Sequence, residues 1–121
     1  MAVVQPTIIS NRDGSKLIRW ASMADGDTGA PVDGMGSFSD RCLQLTGTLS
    51  TGGEMTLRGS NIVGDSPTWF TMKDVANNAI VLTALEAKQI LENPYRISPE
   101  ITNGDGSTSL TVTIHCVRGP Q

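Results

Sequence analysis

The chain of 121 residues has few of the histidine and cysteine side chains from which metal centres and nucleophilic active sites are commonly built. It has a single histidine, His115, and two cysteines, Cys42 and Cys116. Their positions match no zinc-ligand spacing, and His115 has no nucleophile motif beside it. The 13 glycines form neither a GxGxxG nor a GxxxxGK[ST] phosphate loop. We therefore expect a protein that is not an enzyme and that uses no cofactor and no metal.

Clustered positive charge and long apolar runs are also lacking. The net charge of -3 and the pI near 4.9 argue against binding to nucleic acid, which draws on grouped Lys and Arg. No run approaches the roughly 18 apolar residues of a membrane span. The N-terminal MAVVQPTIIS lacks the basic start and apolar stretch of a signal peptide. We expect no nucleic-acid or membrane partner, assembly in a cytosol, and therefore two free thiols.

The chain does contain short segments in which apolar and polar residues alternate. In STSLTVTIHCVRG, Leu110, Val112, Ile114 and Cys116 share one face and His115 lies on the other, which predicts a half-buried strand. The turn residues NGDGS precede it and follow YRISPEIT, so the pattern predicts a C-terminal hairpin. Pro99 in the first of these strands cannot donate a ladder hydrogen bond, which predicts an edge or a bulge there.

Other segments extend this pattern. RCLQLTGTLS, TGG and EMTLRG predict a second hairpin, with Cys42 on the outward face. KLIRWASM predicts a strand with Ile18 and Trp20 inward. TWFTMKD predicts a strand in which the adjacent Trp69 and Phe70 face opposite ways, one in the core and one outside.

The stretch before Pro94 has a different character. Thr83 and Glu86 form a capping box, and Pro94 closes the segment, so a short helix is predicted across residues 84–91. The remaining pattern amounts to about seven or eight short strands spaced by turns. It predicts an all-β fold, an antiparallel β-sandwich or jelly-roll-like domain over residues 16–121, with residues 1–15 as an N-terminal arm or first strand.

Three segments are candidates for contact with other proteins. They are the N-terminal arm, the Gly- and Asp-rich loop 24–39, which is longer than most connections in compact domains, and the tip at residues 61–69. The aspartates of the loop form turns, because the ligand ladder of a calcium loop is missing. Aromatic side chains are common anchors of interfaces. The candidate interface residues are Val3, Val4, Ile8, Asp25, Asp27, Val32, Met35, Ile62, Val63, Trp69 and Phe70.

Several motifs together resemble the small virion proteins of tailed bacteriophages, in particular the capsid decoration or cement class. The matching parts are Trp20 with GDTG (26–29), DRCLQLTGT (40–48), GSN (59–61) with Trp69, NPYRISP (93–99) and GDGSTSLTVT (104–113). This chain departs from the family pattern in its longer IVGDSP tip and in Ser98. The resemblance implies a β-sandwich that binds the outer surface of the assembled major capsid protein as a homo-oligomer, a dimer or trimer, and has no catalytic role.

Two other functions fit the same sequence pattern. One is a carbohydrate- or receptor-binding module of a tail fibre, with stacking on Trp69. The other is a structural protein of the tail or of head completion, which keeps the fold and changes the partner. On each of these readings the protein belongs to a virion.

Overall fold

A computed structural model describes residues 2–12, 14–33, 40–62 and 68–117. Within these ranges the chain forms twelve β-strands and no helix. The strands are β1 (Val3–Val4), β2 (Thr7–Arg12), β3 (Ser15–Met23), β4 (Thr28–Gly29), β5 (Val32–Asp33), β6 (Asp40–Thr48), β7 (Glu54–Ser60), β8 (Phe70–Thr71), β9 (Val81–Leu82), β10 (Ala87–Ile90), β11 (Arg96–Thr102) and β12 (Ser109–Val117). Across the described ranges, no helix long and apolar enough to span a membrane is found.

The strands form two sheets around a shared core, which confirms the predicted β-sandwich. The seven-stranded sheet has the order β1-β4-β11-β7-β8, with β5 also paired to β11 and β9 to β7. The five-stranded sheet has the order β10-β6-β12-β3-β2. The strands outnumber the predicted seven or eight because β1, β4, β5, β8 and β9 have only two residues each. Alternation of apolar and polar residues cannot be recognised in segments of only two residues.

Alternating apolar residues from both sheets fill the space between them. As predicted, Ile18 and Trp20 point inward, as do the apolar residues of β6 and β12. Trp20 is fully buried, and its indole Nε1 donates a hydrogen bond to the carbonyl of Ala30 at 3.0 Å. This bond satisfies the one polar atom of the ring.

Both predicted hairpins are wrong. β6 and β7 do not pair with each other, because β6 lies between β10 and β12 in one sheet and β7 pairs with β11 in the other. Likewise β11 belongs to the seven-stranded sheet and β12 to the five-stranded sheet. The turn sequences TGG and NGDGS therefore carry the chain from one sheet to the other.

The two crossing turns lie side by side at one end of the sandwich. The hydroxyl groups of Ser50 and Thr108 are 2.6 Å apart, and the backbone N–H of Asp105 donates to Ser50 Oγ at 3.2 Å. Gly52 and Asn103 have positive φ angles of 80° and 59°. Because Gly and Asn tolerate the left-handed region, they permit these tight changes of direction.

The predicted helix is also wrong. Residues 87–90 form β10, an edge strand that pairs with β6 in the register Ala87↔Gln44 to Ile90↔Arg41. The backbone N–H of Leu45 additionally donates to the carbonyl of Glu86 at 3.0 Å. A segment this short gains little from helix formation by itself, so pairing with a neighbouring strand decides its conformation.

Pro99 lies inside the seven-stranded sheet at a break in one ladder. On one side it pairs with Leu57 of β7. On the other side, β11 pairs with β5 at Ile97 and with β4 at Glu100, which leaves Pro99 between two short partners. The absence of an N–H in proline is tolerated there because no continuous partner strand needs it.

Candidate functional site

One end of the sandwich, opposite the crossing turns, presents exposed aromatic and apolar side chains. We call Ile62, Trp69, Phe70 and Tyr95 the aromatic end. Ile62, Phe70 and Tyr95 are exposed, and Trp69 is half-buried. They are brought together where β7 ends and where β8 and β11 begin, in the registers Gly59↔Phe70 and Arg96↔Ser60.

Hydrogen bonds fix the backbone of the aromatic end. The side-chain oxygen Oδ1 of Asn61 accepts a hydrogen bond from the backbone N–H of Tyr95 at 2.8 Å. The hydroxyl of Ser60 accepts one from the N–H of Ile62 at 3.0 Å. The GSN motif thus ties the end of β7 to the start of β11, across 34 residues of sequence.

Close packing at Gly59 sets the position of the Phe70 ring. A Cβ atom at residue 59 would lie 2.6 Å from Cγ of Pro94 and 3.1 Å from Cζ of Phe70. Only glycine therefore allows Pro94 and Phe70 to approach β7 so closely.

The expectation that Trp69 or Phe70 fills the core is wrong. Met72 is the fully buried residue of this segment. Trp69 instead stacks on the guanidinium group of Arg58, whose Cζ lies 4.5 Å from the ring centroid. β8 has only two residues, too few to carry both rings through a regular inward and outward alternation.

Arg58 is anchored on the outer face of the seven-stranded sheet. Its Nη2 donates to Ser98 Oγ at 2.8 Å, and its Nη1 lies 3.8 Å from a carboxylate oxygen of Glu100. The hydroxyl of Ser98 donates in turn to the carbonyl of Gly29 at 2.6 Å. Burial lowers the pKa of Arg58, while the charge of Glu100 partly offsets that effect. The Trp69 ring therefore stacks on a cation whose position is fixed by Ser98 and Glu100.

The remaining predicted interface residues do not gather at the aromatic end. Asp25 accepts a hydrogen bond from the N–H of Gly104 at 2.9 Å, at the opposite end with the crossing turns. Asp27 is buried, and its carboxylate accepts hydrogen bonds from the backbone N–H groups of Ala2 and Ala24, both at 2.9 Å. These two aspartates fix the first residues of the loop, 24–27, against the rest of the fold.

The apolar candidates are divided between the core and the surface. Val4 and Val32 are partly buried and pack against the core, whereas Val3 and Ile8 are exposed along one lateral side. Met35 and Val63 lie outside the described residues. The structure adds Tyr95, which precedes the first residue of β11 and is exposed.

A shallow depression of about 210 Å³ lies on the five-stranded sheet near the start of β6. It is lined by Asp40, Arg41, Cys42, Gln89, His115 and Val117. As predicted, Cys42 is exposed, Cys116 is buried and both are free thiols. His115 and Cys42 are cross-strand neighbours, and both are exposed. The described ranges contain no group of three or more metal-ligating side chains.

Burial shifts the pKa values of two ionisable groups near this depression, Cys116 and Arg41. Burial raises the pKa of the Cys116 thiol to about 11, although the charges of Arg41 and Lys16 act against that rise. Burial lowers the pKa of Arg41. A thiol with a raised pKa stays protonated at neutral pH and is a poor nucleophile.

Comparison with known proteins gives a similarity of fold. No family model and no curated protein sequence matches the chain. The crystal structure of the SPBc2 prophage-derived protein YomS is similar, with a TM-score of 0.60 and 13% identity, over 92% of this chain and 98% of that one. The structure of KdgF from a Halomonas species has a TM-score of 0.42 and 11% identity, over 94% of this chain and 78% of that one. This chain and YomS thus share a fold over nearly their whole lengths.

Proposed function

We propose that this protein is a structural virion protein of the capsid decoration class, which binds the outer surface of the assembled major capsid shell and stabilises it. The aromatic end is the observation that carries the proposal. It offers exposed apolar side chains at one pole of an otherwise acidic protein. The fold shared with a prophage-derived protein and the sequence resemblance to decoration proteins both support this assignment.

The aromatic end has the properties of a protein-binding anchor. Aromatic residues are enriched at the centres of interfaces, and charged residues other than Arg are depleted there. The hydrogen bonds of Asn61 and Ser60 hold its backbone before any partner arrives. Such preorganisation lowers the entropic cost of binding. Many weak contacts of this kind across a shell add up to firm attachment.

Sedimentation tests the proposal. The purified protein is mixed with expanded, undecorated capsid shells, and the shells are pelleted. We expect the wild-type protein to sediment with the shells and Ile62→Lys to remain largely in the supernatant, because a lysine at this position would have to be desolvated on binding.

Leu85→Lys is a matched control. Leu85 is 50% exposed and Ile62 is 52% exposed, but Leu85 lies in the connection between β9 and β10, away from the aromatic end. The control should sediment like wild type. Failure of the wild-type protein to sediment with shells would contradict the proposal, and equal loss in both variants would contradict the assignment of the aromatic end.

A carbohydrate-binding role is the second candidate, and the stack of Trp69 on Arg58 favours it. Sugars pack against aromatic rings that are held rigidly, and Arg58 holds this ring from one side. A glycan array distinguishes the two functions. Binding of a glycan by the wild-type protein, lost in Trp69→Ala, would support this candidate over shell decoration.

A further inference from the structure

The two lateral sides of the sandwich differ in whether the outer edge of the last strand is covered. On one side, residues 72–80 connect the two sheets. The backbone N–H of Met72 donates to the carbonyl of Leu57 in the seven-stranded sheet at 2.9 Å. The N–H of Val75 donates to the carbonyl of Gln89 in the five-stranded sheet at 3.1 Å. The outer edge of β10 is therefore covered by the chain itself.

The opposite side ends in the strand β2. In the part of the chain that the structure describes, β2 pairs with β3 alone, so its outer edge has no strand partner. Ile8 is the register partner of the core residue Ile18, which places it on the inward face of the sheet. Ile8 is nevertheless 44% exposed, and the adjacent Ile9 is 45% exposed. The core is therefore incompletely covered along this edge.

The charge distribution favours a second copy of the chain as the partner. A two-fold interface sets the same surface patch of one copy against that patch of the other, so a patch that carries charge of one sign repels itself. The protein carries a net charge of -3, yet residues 2–11 contain no charged side chain. Two copies can therefore approach along residues 7–11 of β2 without bringing like charges together.

We propose that β2 pairs antiparallel with β2 of a second copy, across a two-fold axis near Ile8. The two five-stranded sheets then form one continuous sheet of ten strands, and Ile8 of each copy covers the open edge of the other. Backbone hydrogen bonds supply the pairing, as in other cases of strand addition to a sheet edge. This inference does not depend on binding to capsid shells.

The pairing is short, which predicts a reversible dimer. Pro6 has no N–H and ends the usable edge on one side. A register shift between Ile8 and Ser10 marks a bulge, a device that limits pairing at sheet edges. The dimer should therefore dissociate on dilution.

Solution mass measured by analytical ultracentrifugation over a wide concentration range tests the proposal. The wild-type protein should move from 12.8 kDa at low concentration toward twice that mass at high concentration. Ile8→Lys should stay monomeric, because it would place two lysines opposite each other in the dimer. Val75→Lys alters a residue that is 54% exposed on the covered side, so it should dimerise like wild type.

Hydrogen exchange tests the same interface in the wild-type protein, without any substitution that could alter the fold. The amides of residues 7–10 should exchange more slowly at high than at low protein concentration. A wild-type protein that is monomeric at every concentration would overturn the proposal. So would a dimer that survives Ile8→Lys, shown by its melting curve to be folded, but is lost in Val75→Lys.

Discussion

Gly29 of β4 packs closely against two core neighbours, and replacing it with alanine gives a direct test of the packing. An added Cβ would lie 2.5 Å from Cδ of Pro99 and 2.7 Å from Cδ1 of Trp20. Neither neighbour can easily move away. Trp20 is fully buried and hydrogen-bonded to Ala30, and Pro99 is a rigid ring within β11.

The expected cost follows from the two rigid neighbours. Overpacking a core usually costs about 1–3 kcal/mol, and here we expect the upper end, about 3 kcal/mol of unfolding free energy. A loss of that size should lower the melting temperature by roughly 10 °C in a domain of this length. Urea denaturation followed by circular dichroism measures the free energy, with an unchanged m-value if the unfolded state is unaffected.

Gly26→Ala separates steric crowding from backbone strain. Gly26 has a φ of 83°, and nothing lies within 4 Å of an added Cβ, so its replacement costs only the left-handed conformation, about 1–2 kcal/mol. Gly29 has no such φ, so its cost is steric. If Gly29→Ala proved no more destabilising than Gly26→Ala, the argument from Trp20 and Pro99 would be refuted.

Two further predictions concern buried polar groups. Because burial raises the pKa of Cys116 from 9.0 to about 11, the unfolded chain loses this proton first, and stability should fall as pH rises from about 9 to 11. Denaturation curves in that range should show a smaller fall for Cys116→Ala than for Cys42→Ser, and equal slopes would contradict it. Ser98→Ala removes the hydrogen bonds that its hydroxyl makes with Nη2 of Arg58 and with the carbonyl of Gly29, and should cost about 1–3 kcal/mol in urea denaturation. A change within about 0.5 kcal/mol of wild type would show that these groups find other partners.

The inward and outward faces of the long strands could be predicted from the sequence, because side-chain alternation is a local property with a period of two. Ile18 and Trp20 in β3 and the apolar residues of β12 lie where the alternation put them. The choice of neighbouring strand could not be predicted in the same way. Alternation states which face is buried, and a strand in either sheet buries one face equally well.

The crossing turns show why the hairpin predictions failed. TGG and NGDGS have the residues of tight hairpin turns, and they do form tight turns. Their partners, however, are each other: the hydroxyl groups of Ser50 and Thr108 meet across 58 residues of sequence. Contacts of that range depend on the whole fold, so the same turn residues serve a hairpin or a crossing between sheets.

The aromatic end also depends on contacts between residues that are far apart in the sequence. An exposed aromatic at the tip could be predicted from the adjacency of Trp69 and Phe70, but the participation of Tyr95 could not. Tyr95 reaches this surface because Asn61 holds its backbone N–H and because Arg96 pairs with Ser60. Each of these contacts joins residues more than 30 positions apart. The surface that we propose for shell binding is thus a product of how β7 and β11 pair, so a change at Asn61 should alter it without touching any exposed apolar side chain.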